Sequence, residues 1–454
     1  MNKKYFYLFA FLFSMHFAYP QNDSTMIKSF FNEELSRGKS YEMLDHLSNK
    51  IGGRLSGSPQ AAQAVEWGKR TMEFLGFDKV WLQEVMVPHW VRGEKEQAKI
   101  LSQKEKTEVR ICALGNSIGT GPKGISAIVI EVKNFKELAK LGRKNIEGKI
   151  VFFNRALDPT NIGTGAAYGG AVDQRGSGAV EAAKYGAVGV VVRSMTLAND
   201  DHPHTGAMHY EDSITKIPAC AISIYGATKL SEAIKFDANT KFYFRQTCEM
   251  LPDEKSFNVV GEIKGSVFPD EIIVVGGHLD SWDIGDGAHD DGTGIVQSIE
   301  VLRLFKALGI RPKRTIRAVL FMNEENGMKG GLKYAELASK VNAKHIAAIE
   351  SDGGGFTPRA FGVDDDNAVQ KMQPWVQMLK PFGIHEINKG WGGVDISPLK
   401  KEGAILIGYA CDSQRYFDYH HSEIDTFDKV NKRELELGAG CMAALVWLIS
   451  EYGL

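Results

Sequence analysis

The chain has 454 residues, enough for two or three folded units at roughly 150 residues each. With 43% hydrophobic and 24% charged residues it can bury a sizeable core, which excludes wholesale disorder. Lys plus Arg number 54 against 56 Asp plus Glu, a balance that argues against a nucleic-acid binder or a polybasic membrane-surface protein.

Lys3 and Lys4 precede an apolar run over residues 5–18, too short to span a bilayer and suited to the core of a secretory signal peptide. Residues 1–20 are read as that peptide, cleaved between Ala18 and Gln21. The mature chain is then exported, periplasmic or secreted, with no stable membrane anchor. From 22 to 76 the pattern is helical around a Gly-rich turn at 51–59, and residues 80–87 read as a strand. Between 116 and 250 the texture changes to short apolar strands at 125–132, 149–153, 188–192 and 219–224, with helical pieces such as 178–185. This stretch is read as a small α/β domain inserted into a larger one made of residues 22–115 and 251–454.

From 258 onward strands at 271–277, 315–322, 345–349 and 403–408 alternate with helices at 292–308 and 327–339. Buried apolar strands separated by helices imply an α/β fold whose sheet is covered on both faces and parallel at its centre. Ligands in such sheets sit at the carboxyl ends of the strands. Five cysteines (Cys112, Cys220, Cys248, Cys411, Cys441) are scattered without a CxxC pair. They read as buried small hydrophobes, with Cys220–Cys248 the one bridge an oxidising compartment would allow.

The chemistry lies at the strand exits. The first strand runs into GGHLDSWDIGDGAHDDGTG (276–294), the second into NEENG (323–327), the third into ESDGGG (350–355), and YHHSEIDT (419–426) follows near the C-terminus. Imidazole and carboxylate without thiolate suit Zn²⁺, Co²⁺ or Mn²⁺ in a site open enough to activate water. Any one of these carboxylates alone would more often cap a helix, as Asp291 before Gly292 could. Asp280, Asp283 and Asp286 lack the alternate spacing of a calcium loop. Their joint occurrence on successive strand ends is what argues for a metal site. Two literal motif matches are set aside. GxSxG at 115–119 opens no helix, GxGxxG at 119–124 caps none, and the His-containing loop 200–206 is too commonplace to count as a second metal site.

Together the four motifs resemble the co-catalytic dizinc exopeptidases related to bacterial leucyl aminopeptidases, and within them the carboxypeptidase Q group, over almost all of the mature chain. The resemblance implies a three-layer, phosphorylase/hydrolase-like zinc-exopeptidase domain with a mixed, centrally parallel sheet. It also implies a protease-associated-type α/β insert, carried by residues 148–153 and 184–192. It implies that His278 and Asp352 bind one Zn²⁺, that Glu325 and His421 bind the other, and that Asp290 bridges both, with Co²⁺ or Mn²⁺ as substitutes. Glu324 would be the general base, Asp280 would accept the second ring N–H of His278, and the peptide after Asp290 would be cis. His421 is preferred to His420 because the family's ligand lies four residues before the Asp of the closing pair, here Asp425-Thr426. His420, standing where some relatives carry Tyr, is a candidate donor to the tetrahedral intermediate or a packing residue, with Tyr409, Tyr416 and Tyr419 weaker. The implied activity is hydrolysis of dipeptides or short peptides. A broad-specificity aminopeptidase and a non-catalytic receptor-like module are the alternatives. Arg54, Arg175 or Asp395 would recognise the substrate's charged ends. A homodimer follows from likeness alone.

Overall fold

The computed structural model describes residues 21–103, 106–341 and 343–454, so the signal-peptide reading of residues 1–20 lies outside the described residues. An eight-stranded sheet forms the larger unit. Its spatial order is Lys79–Val91, Glu249–Ile263, Arg314–Phe321, Phe268–His278, Lys344–Glu350, Ile405–Cys411, Pro358–Val363 and Glu386–Lys389. The four central strands, Arg314–Phe321 to Ile405–Cys411, run parallel, while Glu249–Ile263 and Pro358–Val363 flank them antiparallel.

Each central strand is apolar on both faces. Ile273 and Val275 pack with the helices Thr293–Ala307 and Lys432–Tyr452, whereas Ile272 and Val274 face Tyr334 and Ala335 of helix Lys329–Ala338. The period of two in the pleat sends successive side chains into opposite layers. The result is the expected three-layer α/β/α arrangement with a mixed, centrally parallel sheet. Helix Lys432–Tyr452 is long and apolar enough to cross a membrane, yet here it is a core helix, with Cys441 to Val446 all buried. Asn431 starts it by accepting the N–H groups of Arg433 and Glu434.

A second eight-stranded sheet has the order Lys106–Val109, Gln97–Leu101, Lys241–Arg245, Ile125–Val132, Ile150–Phe153, Gly189–Arg193, Ala219–Ile222 and Ile111–Ala113. It begins at Gln97, earlier than residue 116. The strand Gln97–Leu101 pairs antiparallel with Lys241–Arg245, and Ile111–Ala113 with Ala219–Ile222. The half-polar strands at 97–109 carry too weak an apolar run to be read locally. They are strands because two neighbouring stretches pair with them.

The chain crosses between the two units through the long antiparallel pair Lys79–Val91 and Glu249–Ile263. Gly115 and Ser117 of the GxSxG match sit at this junction. Gly115 abuts the Trp282 ring, and the Ser117 hydroxyl, buried, accepts from Ala219 N (2.9 Å) and Gln246 Nε2 (3.0 Å). All five cysteines are free thiols, Cys220 and Cys248 included, in keeping with their reading as small hydrophobes.

Candidate metal centre

Strand Phe268–His278 ends on His278 itself. Its backbone N–H donates to Asp291 Oδ2 (3.0 Å), and Nδ1 donates to the carbonyl oxygen of Asp280 (2.9 Å), which leaves Nε2 as the ring's free acceptor. A Cβ at Gly277 would lie 2.2 Å from Asp291 Oδ2, so only glycine lets that carboxylate approach the strand. Asp291 Oδ1 also accepts from Gly294 N (2.9 Å), the helix-capping role expected of it. The peptide between Asp290 and Asp291 is cis.

The expected role of Asp280 changes in detail. The backbone carbonyl of Asp280, not its carboxylate, holds His278. The carboxylate instead accepts the backbone N–H groups of Asn323 (2.7 Å), Glu324 (3.1 Å) and Glu325 (3.3 Å). It therefore fixes the turn after strand Arg314–Phe321 that carries both glutamates. Asn323 turns that corner at φ 74°, a conformation Asn tolerates better than most residues. Glu325 then points inward, held by Trp282 N (3.2 Å to Oε1), while the Glu324 side chain is half-buried beside it.

Four elements bring the ligand candidates together. His278 Nε2 lies 3.2 Å from Asp290 Oδ1 and 3.5 Å from Asp352 Oδ1. His421 Nε2 lies 3.2 Å from Asp290 Oδ2 and 3.1 Å from Glu325 Oε2. The two oxygens of Asp290 thus face two different histidines. Donors about 2.0–2.2 Å from a tetrahedral Zn²⁺ stand about 3.3–3.5 Å from one another, close to the separations here. Asp290 Oδ2 and Asp352 Oδ1 are buried without a hydrogen-bond partner among the described residues, as expected of atoms whose partner is an ion. His420 stacks on His421 at 3.5 Å between ring centroids, with Nε2 3.7 Å from Asp290 Oδ2. Tyr416 leans on that stack, whereas Tyr409 packs against Phe361 in the core.

Charge gives the same reading. For His278 burial opposes protonation, but Asp290 and Asp352 outweigh it and raise its pKa well above the ordinary imidazole range. For His421 burial is likewise outweighed, by Glu325 and Asp290, and the pKa rises to about 10. Burial pushes Glu324 well above the usual carboxylate range, with Asp352 and Glu325 adding to it, while nearby His278 pulls the other way. A cluster that holds protons this tightly without metal is one in which divalent cations would replace them. The donor set fits the group.

Other candidates fall outside the ligand set. Arg54 is fully buried, and its guanidinium donates to the carbonyls of Leu279 (2.6 Å), Asp286 (2.9 Å), Gly287 (3.0 Å) and Gly52 (3.4 Å). It fastens the loop between His278 and Asp290 and is committed to that loop rather than to a substrate. Arg175 of the second sheet's domain reaches in, with Nη1 3.3 Å from His421 Nδ1. Asp395 is buried with both oxygens unpartnered among the described residues. In the loop 200–206, Asp201 accepts from Ser223 Oγ, His202 pairs with Glu423 (2.5 Å) and His204 with the His420 carbonyl (2.7 Å), so these groups already have partners. Sequence reasoning missed Asp425, which accepts the backbone N–H groups of His289 (2.8 Å) and Asp290 (3.1 Å). Its signal was its place in the closing Asp-Thr pair, where it served only to count back to His421.

A model of peptidase family M28 matches residues 258–446. Carboxypeptidase Q of Bos taurus is 36% identical over 92% of this chain and 86% of its own length, and that of Xenopus laevis is 38% identical over the same shares. The crystal structure of a peptidase M28 precursor from Shewanella amazonensis superposes with a TM-score of 0.90 at 34% identity, covering 94% of this chain and 97% of that one. A zinc aminopeptidase from Bacillus subtilis, at 18% identity and a TM-score of 0.63 over 89% of this chain and 93% of that one, shares the fold. Fold and relatives together define a metallo-exopeptidase. The chain belongs to peptidase family M28, in its carboxypeptidase Q branch.

Proposed function

We propose that this protein is an exported, zinc-dependent exopeptidase that hydrolyses dipeptides or short peptides. The observation that carries the metal centre is Asp290, whose two oxygens each stand 3.2 Å from a different histidine Nε2. In this reading His278 and Asp352 would hold one Zn²⁺, Glu325 and His421 would hold the second, and Asp290 would offer one oxygen to each. Cations bound there would acidify a water and polarise the peptide carbonyl. Glu324, adjacent to a ligand but with its carboxylate not tied to a neighbouring side chain, takes the proton of the attacking water and delivers it to the leaving amine. Asp280 acts one step back, by setting the turn that aims Glu324 and Glu325. His420, neutral because burial and the neighbouring His421 lower its pKa well below the usual range, donates to the oxyanion.

Substrate recognition follows from what remains available. Arg54 is committed to backbone carbonyls; Arg175, which already touches His421 Nδ1 (3.3 Å), and buried Asp395 are the remaining charged candidates for the substrate's ends. Export rests on Lys3, Lys4 and the apolar run after them. Metal counting on the purified chain should give two equivalents, and mass-spectrometric product analysis should show dipeptides cleaved faster than longer peptides. Comparable rates on long peptides would overturn the dipeptide preference in favour of a broad aminopeptidase. A stoichiometry near zero would overturn the metal centre.

A further inference from the structure

The two histidines of the metal centre are held by different parts of the chain. His278 is fixed wholly from within its own domain, by Asp291 and the Asp280 carbonyl. His421 sits in a loop at φ 61°, a left-handed conformation that disfavours a non-glycine residue and persists only where its surroundings impose it. Some of those surroundings lie in the larger unit, where Ser422 N donates to the Tyr419 carbonyl (3.1 Å), but the bonds to the His420 and His421 carbonyls come from the segment that leads off the second sheet. Thr205 N donates to the His421 carbonyl (2.8 Å), and His204 Nδ1 donates to the His420 carbonyl (2.7 Å). One residue past Ser422, Glu423 is gripped by His202 (2.5 Å) and by Arg110.

The gripping segment is itself fastened to the second sheet. His204 N donates to Ser194 Oγ (2.9 Å), Thr205 Oγ1 to the Ala113 carbonyl (2.8 Å), and Gly115 N to the Gly206 carbonyl (3.0 Å). Gly206, at φ 128°, brings its backbone so close that a Cβ would lie 2.3 Å from Arg175 Nη1 and 2.6 Å from His421 Nδ1. Burial holds His204 neutral, with a pKa lowered to about 4, so its single ring proton is available on Nδ1 for the carbonyl.

We propose that segment 202–206 of the inserted domain is a positioning clamp for His421, so that the second metal position is complete only when the insert is docked. The proposal rests on the metal-centre reading above. His204 and Thr205 act through His421 and touch neither substrate nor metal. The contacts have no counterpart at His278, so the clamp should act on one metal position and spare the other.

The test is a Co²⁺ titration of the full chain, read by visible absorption and by metal content at fixed free ion. His204→Leu removes the donor and keeps the bulk. It should weaken one of the two Co²⁺ equivalents by about 10–100-fold, the usual effect of losing a partner behind a ligand, and change its absorption spectrum. His204→Asn, whose amide N–H can still reach the carbonyl, should restore both. Thr205→Val, which keeps the shape but removes the Oγ1 bond to the Ala113 carbonyl that fastens the segment, should weaken the same equivalent, and it decides the matter if His204→Leu fails to fold. Wild-type binding in the folded variants, or equal loss at both positions, would overturn the clamp. Failure of the unmodified chain to bind any Co²⁺ or Zn²⁺ would instead overturn the metal centre itself.

Discussion

The two sheets of this protein are built alike and do different work. Each has eight strands with four parallel ones at its centre, and each buries apolar side chains on both faces. In the first sheet the parallel strands run out into His278, Glu324, Glu325 and Asp352. In the second, Phe153 leads into Asn154, Arg193 into Ser194 and Ile222 into Ser223. Asn154 bonds to Glu131, Ser194 to the Ile222 carbonyl, and Ser223 caps the next helix, so these three side chains find their partners within the second sheet's unit. A parallel sheet collects side chains at its carboxyl edge whatever they are. Chemistry arises only where those side chains are unsatisfied donors of one class.

That contrast can be broken most severely at Asp290. Asp290→Ala should abolish binding of both metals and lower kcat/KM by about 10⁴-fold or more, measured by metal analysis beside peptide hydrolysis, since a bound cation contributes several kcal/mol to the barrier. Retention of either metal with near-normal rates would sink the bridging role. Glu324→Gln should leave metal content intact and lower kcat by about 10²–10⁴-fold, the scale of a lost general base. A parallel loss of metal would make Glu324 a ligand instead.

Arg54→Leu comes next. It strands the carbonyls of Leu279, Asp286 and Gly287 in the interior, at a cost of about 3–5 kcal/mol in denaturant unfolding, with weakened metal retention. The pH dependence of the metal-free chain is a gentler probe. Burial, with Asp352 nearby, pushes Glu350 up to about 8. At His421 burial is overcome by Glu325 and Asp290, and the value reaches about 10. Both groups hold more protons in the fold than in the unfolded chain, where ordinary values apply. Stability therefore falls as pH rises, through about 8 for Glu350 and about 10 for His421. Buried His204 and His289, lowered to about 4, push the other way only between about 4 and the ordinary histidine value. The melting temperature without metal should thus drop between pH 7 and 9, and zinc should reduce that drop. The smallest effect belongs to the second sheet. Asn154→Ala, losing its bond to Glu131, should cost about 1 kcal/mol and leave metal content unchanged.

Much of this was legible in one dimension. Runs such as IIVV in strand Phe268–His278 can only be strands buried on both faces, and a histidine or acid just past each run names the reactive edge. Strand Gln97–Leu101 was not legible, because its half-polar residues become a strand only when Lys241–Arg245 lies alongside. Helix Lys432–Tyr452, uniformly apolar for much of its length, offers no one-sided stripe to read and declares itself only by burial. Asp280 was recognised as a helper of His278, but the atom that helps is a backbone carbonyl, and residue identity cannot tell a carbonyl from a carboxylate.

Taken alone, the order of residues determined the sheet's parallel centre and the donor types, because those depend on local hydrophobic pattern and on which side chains follow each strand, and the motifs' resemblance to known dizinc exopeptidases supplied the family. Only the tertiary structure decided that Arg54 is tied to carbonyls, that Asp425 accepts the backbone N–H of Asp290, and that Thr205, on a segment leading off the second sheet, donates to the His421 carbonyl. Each of those is a contact between residues far apart in the chain, made by backbone groups that every residue carries, and so leaves no mark in composition or spacing.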